Sequence, residues 1–194
     1  CEKGHIEIVK LLLNDQRVAI NSTAKNGRTP FRSACAFGHI DIVKLLLKDE
    51  RFDINKAYQC SRTLFWIACE NGHIDIVKLL LNNERIEVNK LDNNGITPFY
   101  IACEKGHIDI VKYFLASGRK VDLKARNRDR KTAIDIAKEI EKEEKRVWES
   151  EEYFHKRKKK FGNIVEILES FERNPNKTRE KLVKEFEGKT FSLF

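Results

Sequence analysis

Methionine is absent from this chain of 194 residues. No apolar run approaches the ~20 residues needed to cross a bilayer, and no charged-then-apolar leader opens the sequence. The first absence, together with an opening inside a unit that recurs later, reads as a piece of a longer protein. The other two leave no candidate for a membrane span or a secretory leader and point to the cytosol or nucleus. Enzyme signatures are missing as well: there is no serine elbow, no phosphate-cradling glycine loop and no His-Glu-x-x-His pair. Neither catalysis nor a cofactor is therefore expected.

The apolar share of 41% is enough for a substantial core, and the formal charge of +8 favours an acidic partner. Five cysteines are present, and four of them, Cys1, Cys35, Cys69 and Cys103, are spaced by 34 residues. Each opens a near copy of one segment: CEKGHIEIVK, CAFGHIDIVK, CENGHIDIVK and CEKGHIDIVK. A fixed interval of this length signals stacked supersecondary units. Each unit reads as helix, tight turn, helix. After a turn such as KNGRTP comes the short segment FRSACAF, then Gly38 and the apolar-periodic HIDIVKLLL. Glu7, Asp41, Asp75 and Asp109 fall in the first turn of the second helix, where a carboxylate complements the positive helix end.

The stretch NGRTPFRSACAFGHIDIVKLLL resembles the ankyrin repeat, with its turn glycine, Thr-Pro, alanine pair, Gly-His and Val-Val-x-Leu-Leu helix. The resemblance implies an all-α solenoid of stacked helix-turn-helix units joined by hairpin turns, with a half unit over 1–21 and full units over 22–55, 56–89 and 90–123. A divergent last unit starts at 124–137. Departures from the family pattern carry information. Ser61 and Leu64 replace the turn glycine and the proline of the third unit, which predicts a less regular turn there. Arg32, Trp66, Tyr100 and Asp135 stand where the family has histidine, which puts that residue's inter-repeat hydrogen bond in question. Asn21, Asn55 and Asn89 resemble asparagines that hydroxylases modify in some ankyrin proteins.

The recurring Cys and His do not make a metal ladder. Zinc ligands must come within roughly 4 Å of one another, and each unit offers one Cys and one His. Neighbouring units are spaced by about 8–10 Å, beyond the ~7 Å Cα limit for a disulfide. Cys35, Cys69 and Cys103 follow Ala34, Ala68 and Ala102 and read as small core residues. By the resemblance, His39, His73 and His107 are structural. Cys60 falls instead on the tip of AYQCSRT, either a chance surface thiol or a redox-sensitive one.

The last unit carries an insertion of about twenty residues, and no Gly or Pro occurs between Thr132 and Phe161. Ile140, Val147, Phe154 and Phe161 recur every seven residues. We expect an elongated antiparallel helical hairpin over 138–173, both helices lengthened alike and the break near Trp148 to Ser150, with Ser150 as N-cap. Asn174-Pro175 then starts a helix within 174–194 that stops at Gly188 and caps the stack, with Phe191, Leu193 and Phe194 folding back on it. In the run HKRKKK, Lys156, Arg157, Lys158, Lys159 and Lys160 form either a solvated helix surface, a nuclear-import or nucleic-acid patch, or a site for an acidic protein.

The resemblance implies a non-catalytic scaffold that binds a partner protein across the concave face made by hairpin tips and first helices. Its exposed, variable positions map to Lys25, Asn26, Arg28, Ala36 and Phe37. They continue at Gln59, Cys60, Arg62, Glu70 and Asn71, and then at Asn93, Asn94, Ile96, Glu104 and Lys105. Trp66 and Tyr100 either border this face as anchors or pack between repeats. The alternative is a nucleic-acid or acidic-surface binder acting through the basic C-terminal region and Arg126, Arg128, Arg130 and Lys131. Neither reading involves a membrane or a metal. Ile6, Val9 and Leu13 have no unit before them, so this edge is expected to fray, to meet further upstream units or to pair with a second copy.

Overall fold

A computed structural model describes residues 2–19, 21–22 and 29–190, without the side chains of Gln59, Lys189 and Thr190. The positions Lys25, Asn26, Arg28, Phe191, Leu193 and Phe194 lie outside the described residues. Among the described residues there are ten α-helices, a short 3-10 turn and no strand. The chain divides into two compact units, Cys1–Pro98 and Phe99–Phe194.

The first unit contains α1 (Ile6–Asn14), α2 (Pro30–Ala36), α3 (Ile40–Leu47), α4 (Leu64–Asn71) and α5 (Ile74–Leu81). Each first helix starts where threonine can cap it. Thr29 Oγ1 accepts from Arg32 N and Thr63 Oγ1 from Trp66 N, both at 3.2 Å. Pro30 then fits the first turn, whose N–H groups have no helical partner in any case. Each second helix buries one stripe: Ile42, Val43 and Leu46 in α3, and Ile76, Val77, Leu80 and Leu81 in α5. In α4, by contrast, every residue from Leu64 to Cys69 is buried, as in a helix covered on all sides. It packs against α2 and α5, while α3 packs against α1, α2 and α5. Ala34, Cys35, Ala68 and Cys69 are fully buried, which is the close-packing role expected of the small pair.

The histidines join consecutive repeats. His73 Nε2 donates to Ala36 O at 2.9 Å, and His39 Nε2 donates to Glu2 O at 2.8 Å. A Cβ on Gly38 would stand 2.8 Å from the His73 ring, and one on Gly4 would stand 2.9 Å from the His39 ring. Gly38 is needed twice over, because its φ of +76° ends the first helix in the left-handed region. The hairpin asparagines also link neighbours. Asn21 Nδ2 donates to Arg51 O at 2.8 Å and Asn55 Nδ2 to Arg85 O at 2.6 Å, while Asn55 Oδ1 accepts from Glu87 N at 3.0 Å.

The second unit contains α6 (Pro98–Lys105), α7 (Ile108–Ala116), α8 (Ala133–Lys142), α9 (Glu151–Arg173) and α10 (Pro175–Thr190). Thr132 and Asp135 form a reciprocal capping box on α8, and those bonds hold the Asp135 carboxyl below the usual carboxylate range. Here the expected hairpin needs correction. The two helices are not lengthened alike: α8 has 10 residues, α9 has 23, and the break covers 143–150 rather than 148–150 alone. Arg157 accounts for this. Reaching back from α9, it donates to Glu149 at 2.8 and 3.0 Å, to Ile140 O at 2.8 Å and to Glu144 O at 3.3 Å. It thus satisfies the Ile140 carbonyl that the end of α8 leaves unpaired, and the Glu144 carbonyl in the break that follows. The seven-residue series does not form one stripe, since Phe161 is buried while Val147 is fully exposed.

Ser150 caps α9 as expected, accepting from Tyr153 N at 3.2 Å, and Asn174 Oδ1 accepts from Lys177 N at 3.2 Å at the start of α10. The stop at Gly188 is a second correction. The helix continues to Thr190, and Gly188 is not among the glycines with positive φ, so it does not form the left-handed stop expected of it. α10 packs against α7 and α9, burying Leu182 and setting Phe186 edge-on to Tyr113 with ring centroids 5.3 Å apart.

Candidate protein-binding surface

In the first unit the positions expected at the surface fall on the hairpin tips and at the ends of first helices, where they are exposed or half-buried. The tip over Gln59–Ser61 is a 3-10 turn closed by Ser61 N to Tyr58 O at 2.9 Å and Tyr58 N to Arg62 O at 3.0 Å. The absent glycine has a visible consequence: Cys60 and Ser61 both adopt left-handed backbone, φ 62° and 60°. Asp92 organises the next tip. Its Oδ1 accepts from Asn94 N at 2.8 Å and Ile96 N at 2.9 Å, and Asn93 N donates to Cys60 O at 2.9 Å, which joins the two tips.

Arg62 sits at this junction. Its guanidinium lies 4.0 Å from the centre of the Trp66 ring, Nη1 is 3.6 Å from Glu70 Oε1, and Nε is 3.7 Å from Asp92 Oδ2. The Asp92 side chain is fully buried while that of Arg62 remains 33% exposed. An aromatic face below and carboxylates on either side leave the guanidinium few ways to move. Residues beside it offer mixed chemistry. Asn71 and Asn93 are exposed, Asn94 and Ile96 half-buried, and Cys60 exposed on the tip. Phe37, in the preceding repeat, is 49% exposed beside His39. Glu104, half-buried, and Lys105, exposed, hold the equivalent positions in the second unit.

Trp66 and Tyr100 are not contact anchors, which corrects their place in the expected surface. They are 0% and 2% exposed. Trp66 Nε1 donates to Ile96 O at 3.2 Å, and the Tyr100 hydroxyl accepts from Asn127 Nδ2 at 3.0 Å. Each therefore bonds the hairpin that follows, the kind of inter-repeat link that the absent histidine left in question. Burial, reinforced by Glu104 and other carboxylates, pushes the Tyr100 phenol up to about 12. Cys103 is buried like Cys35 and Cys69, and desolvation raises the thiols of Cys35 and Cys103 well above their ordinary value. Among the described residues no group of three or more His, Cys, Asp or Glu is placed to hold a metal.

The basic run is likewise divided by the fold. Arg157 is buried in its clamp, and Lys160 is half-buried with its side chain against Gly106, the place His39 and His73 take over Gly4 and Gly38. Desolvation, then the charge of Lys156, lowers the Lys160 pKa. Lys156, Lys158 and Lys159 remain exposed. Of the basic turn upstream, Arg126 donates to Arg130 O at 2.5 Å and Lys131 pairs with Glu139 at 2.7 Å. Sequence reasoning missed Asp92 and the Arg157 clamp. An Asp three residues before a turn glycine was the available signal for the first.

The comparisons agree with this geometry. No curated protein matches the chain, whereas a family model described as ankyrin repeats (3 copies) matches residues 1–58 and 50–127. With its capped first helices, left-handed glycines and repeated second helices, the chain belongs to the ankyrin repeat family.

Proposed function

We propose that this chain is a non-catalytic intracellular scaffold, cytoplasmic or nuclear, that binds a partner protein across the hairpin tips and first helices. Ankyrin repeats are generally protein–protein interaction modules, and no described helix is long and apolar enough to cross a membrane. The supporting observation is Arg62. It is a half-buried arginine, one third of its side chain open to solvent, held over an indole between two carboxylates, so little side-chain entropy is lost when a partner engages it. Phe37 adds an exposed aromatic in the preceding repeat. Arginine and aromatic side chains supply most interface hot spots, each contributing about 2 kcal/mol or more.

The test is a binding comparison with the partner captured by the wild-type chain. Arg62→Ala and Phe37→Ala are each expected to weaken the complex by about thirtyfold, the equivalent of ~2 kcal/mol. Circular dichroism should show the helical content unchanged. Full retention of binding by the double variant would remove this surface from the account.

A further inference from the structure

Among the described residues of the second unit, α10 as well as the lysine run of α9 carries lysines without a carboxylate partner. A groove of about 710 Å³ runs between the end of α9 and the start of α10, and its lining includes Arg173, Lys177, Lys181 and Lys184. Glu180 is the one carboxylate among its lining residues. At 3.6 residues per turn, Lys177, Lys181 and Lys184 fall within about 60° of one another and span about 10 Å along the helix. All three are exposed.

Pairing separates these lysines from others in the same unit. Lys112 is 2.7 Å from Glu185, Lys131 is 2.7 Å from Glu139, and Lys138 is 2.8 Å from Glu169. Lys145 also has a partner, Glu151. Among the described residues no carboxylate pairs with Lys177, Lys181 or Lys184. Glu185, the α10 carboxylate nearest in sequence to Lys184, is engaged by Lys112. The groove floor is fixed, since Thr178 Oγ1 donates to Ser170 O at 3.0 Å and lies 3.1 Å from Ser170 Oγ.

We infer that this groove binds the phosphate backbone of nucleic acid. The chemistry of its lining separates this ligand from an acidic protein. A protein interface is built around an apolar core, and no apolar side chain lines the groove. There is also no aromatic ring for base stacking and no base-reading fork beyond Arg173, so recognition is of the charged backbone and independent of sequence. Lysines act here as flexible point charges that follow a line of phosphates.

The experiment is fluorescence anisotropy of the full chain with a labelled random-sequence DNA duplex across a salt series. Four phosphate contacts give a slope of log Kobs against log salt of about −3.6. The variant K177Q/K181Q/K184Q is expected to flatten that slope to about −1 and to lose at least tenfold in affinity at ~50 mM salt. K156Q/K158Q/K159Q, which changes the exposed lysines of α9, keeps the slope within one unit. No wild-type binding at low salt, retained binding by the α10 variant, or equal losses in both variants would each overturn the inference. So would polyglutamate competing as well as an equal charge of unlabelled DNA.

Discussion

Replacing Gly38 by alanine probes the link between consecutive repeats most sharply. The backbone there has φ +76°, where a Cβ costs roughly 1–2 kcal/mol. The new Cβ would also stand 2.8 Å from His73 Cε1 and Nδ1, against an ordinary contact of 3.4 Å or more. The ring must therefore move, and its 2.9 Å bond to Ala36 O is lost or stretched. A hydrogen bond of this kind contributes about 0.5–1.5 kcal/mol. The total is about 1.5–3.5 kcal/mol. Gly118 supplies the control, because it has φ +73° and nothing within 4 Å of its Cβ position. Gly118→Ala should cost only the backbone part, about 1–2 kcal/mol. Urea unfolding followed by far-ultraviolet circular dichroism measures both, and adding Gly38→Ala to His73→Ala isolates the contact as a double-mutant cycle. Equal costs at Gly38 and Gly118 would refute the proposed histidine link.

Three further outcomes follow from the same structure. Ser61→Gly should raise stability by about 0.5–1 kcal/mol, since relief of left-handed strain exceeds the added freedom of the unfolded chain; an unchanged or lower urea midpoint would contradict it. Under native conditions a maleimide should label Cys60 quickly and Cys35, Cys69 and Cys103 only on unfolding, with mass spectrometry locating the adducts; rapid labelling at a buried position would show that the core opens. Amides of Ile6 to Leu13 should exchange faster than those of Ile74 to Leu81, because Val9 is the one buried residue of α1 whereas α5 buries four. Equal protection would show that α1 does not depend on a further neighbour.

The repeat, its caps and its turns were legible because each is a local pattern. Threonine before a first helix, Gly-His between helices and apolar residues at helical spacing all act within a few residues, and copies 34 residues apart reinforce one another. What stayed hidden depends on contacts between distant segments. Whether Trp66 faces a partner or the next hairpin is decided by Ile96 O, thirty residues away. Arg157 sits in a run of cations that looks solvated, yet the carbonyls of Ile140 and Glu144 with the Glu149 carboxylate bury it. Lys160 takes a histidine's place over Gly106, a substitution no alignment on Gly-His would find. The seven-residue apolar series was misleading for the same reason: the Arg157 clamp turns the chain before the pattern can complete a helix.

Hydrogen exchange of the chain alone and in complex with its captured protein partner tests the central claim most directly. Partner binding through the proposed surface predicts added protection over 58–71 and 92–97, around the Arg62 junction, with α3 and α5 unchanged. Protection confined to α3 and α5, or none in the first unit, would contradict it.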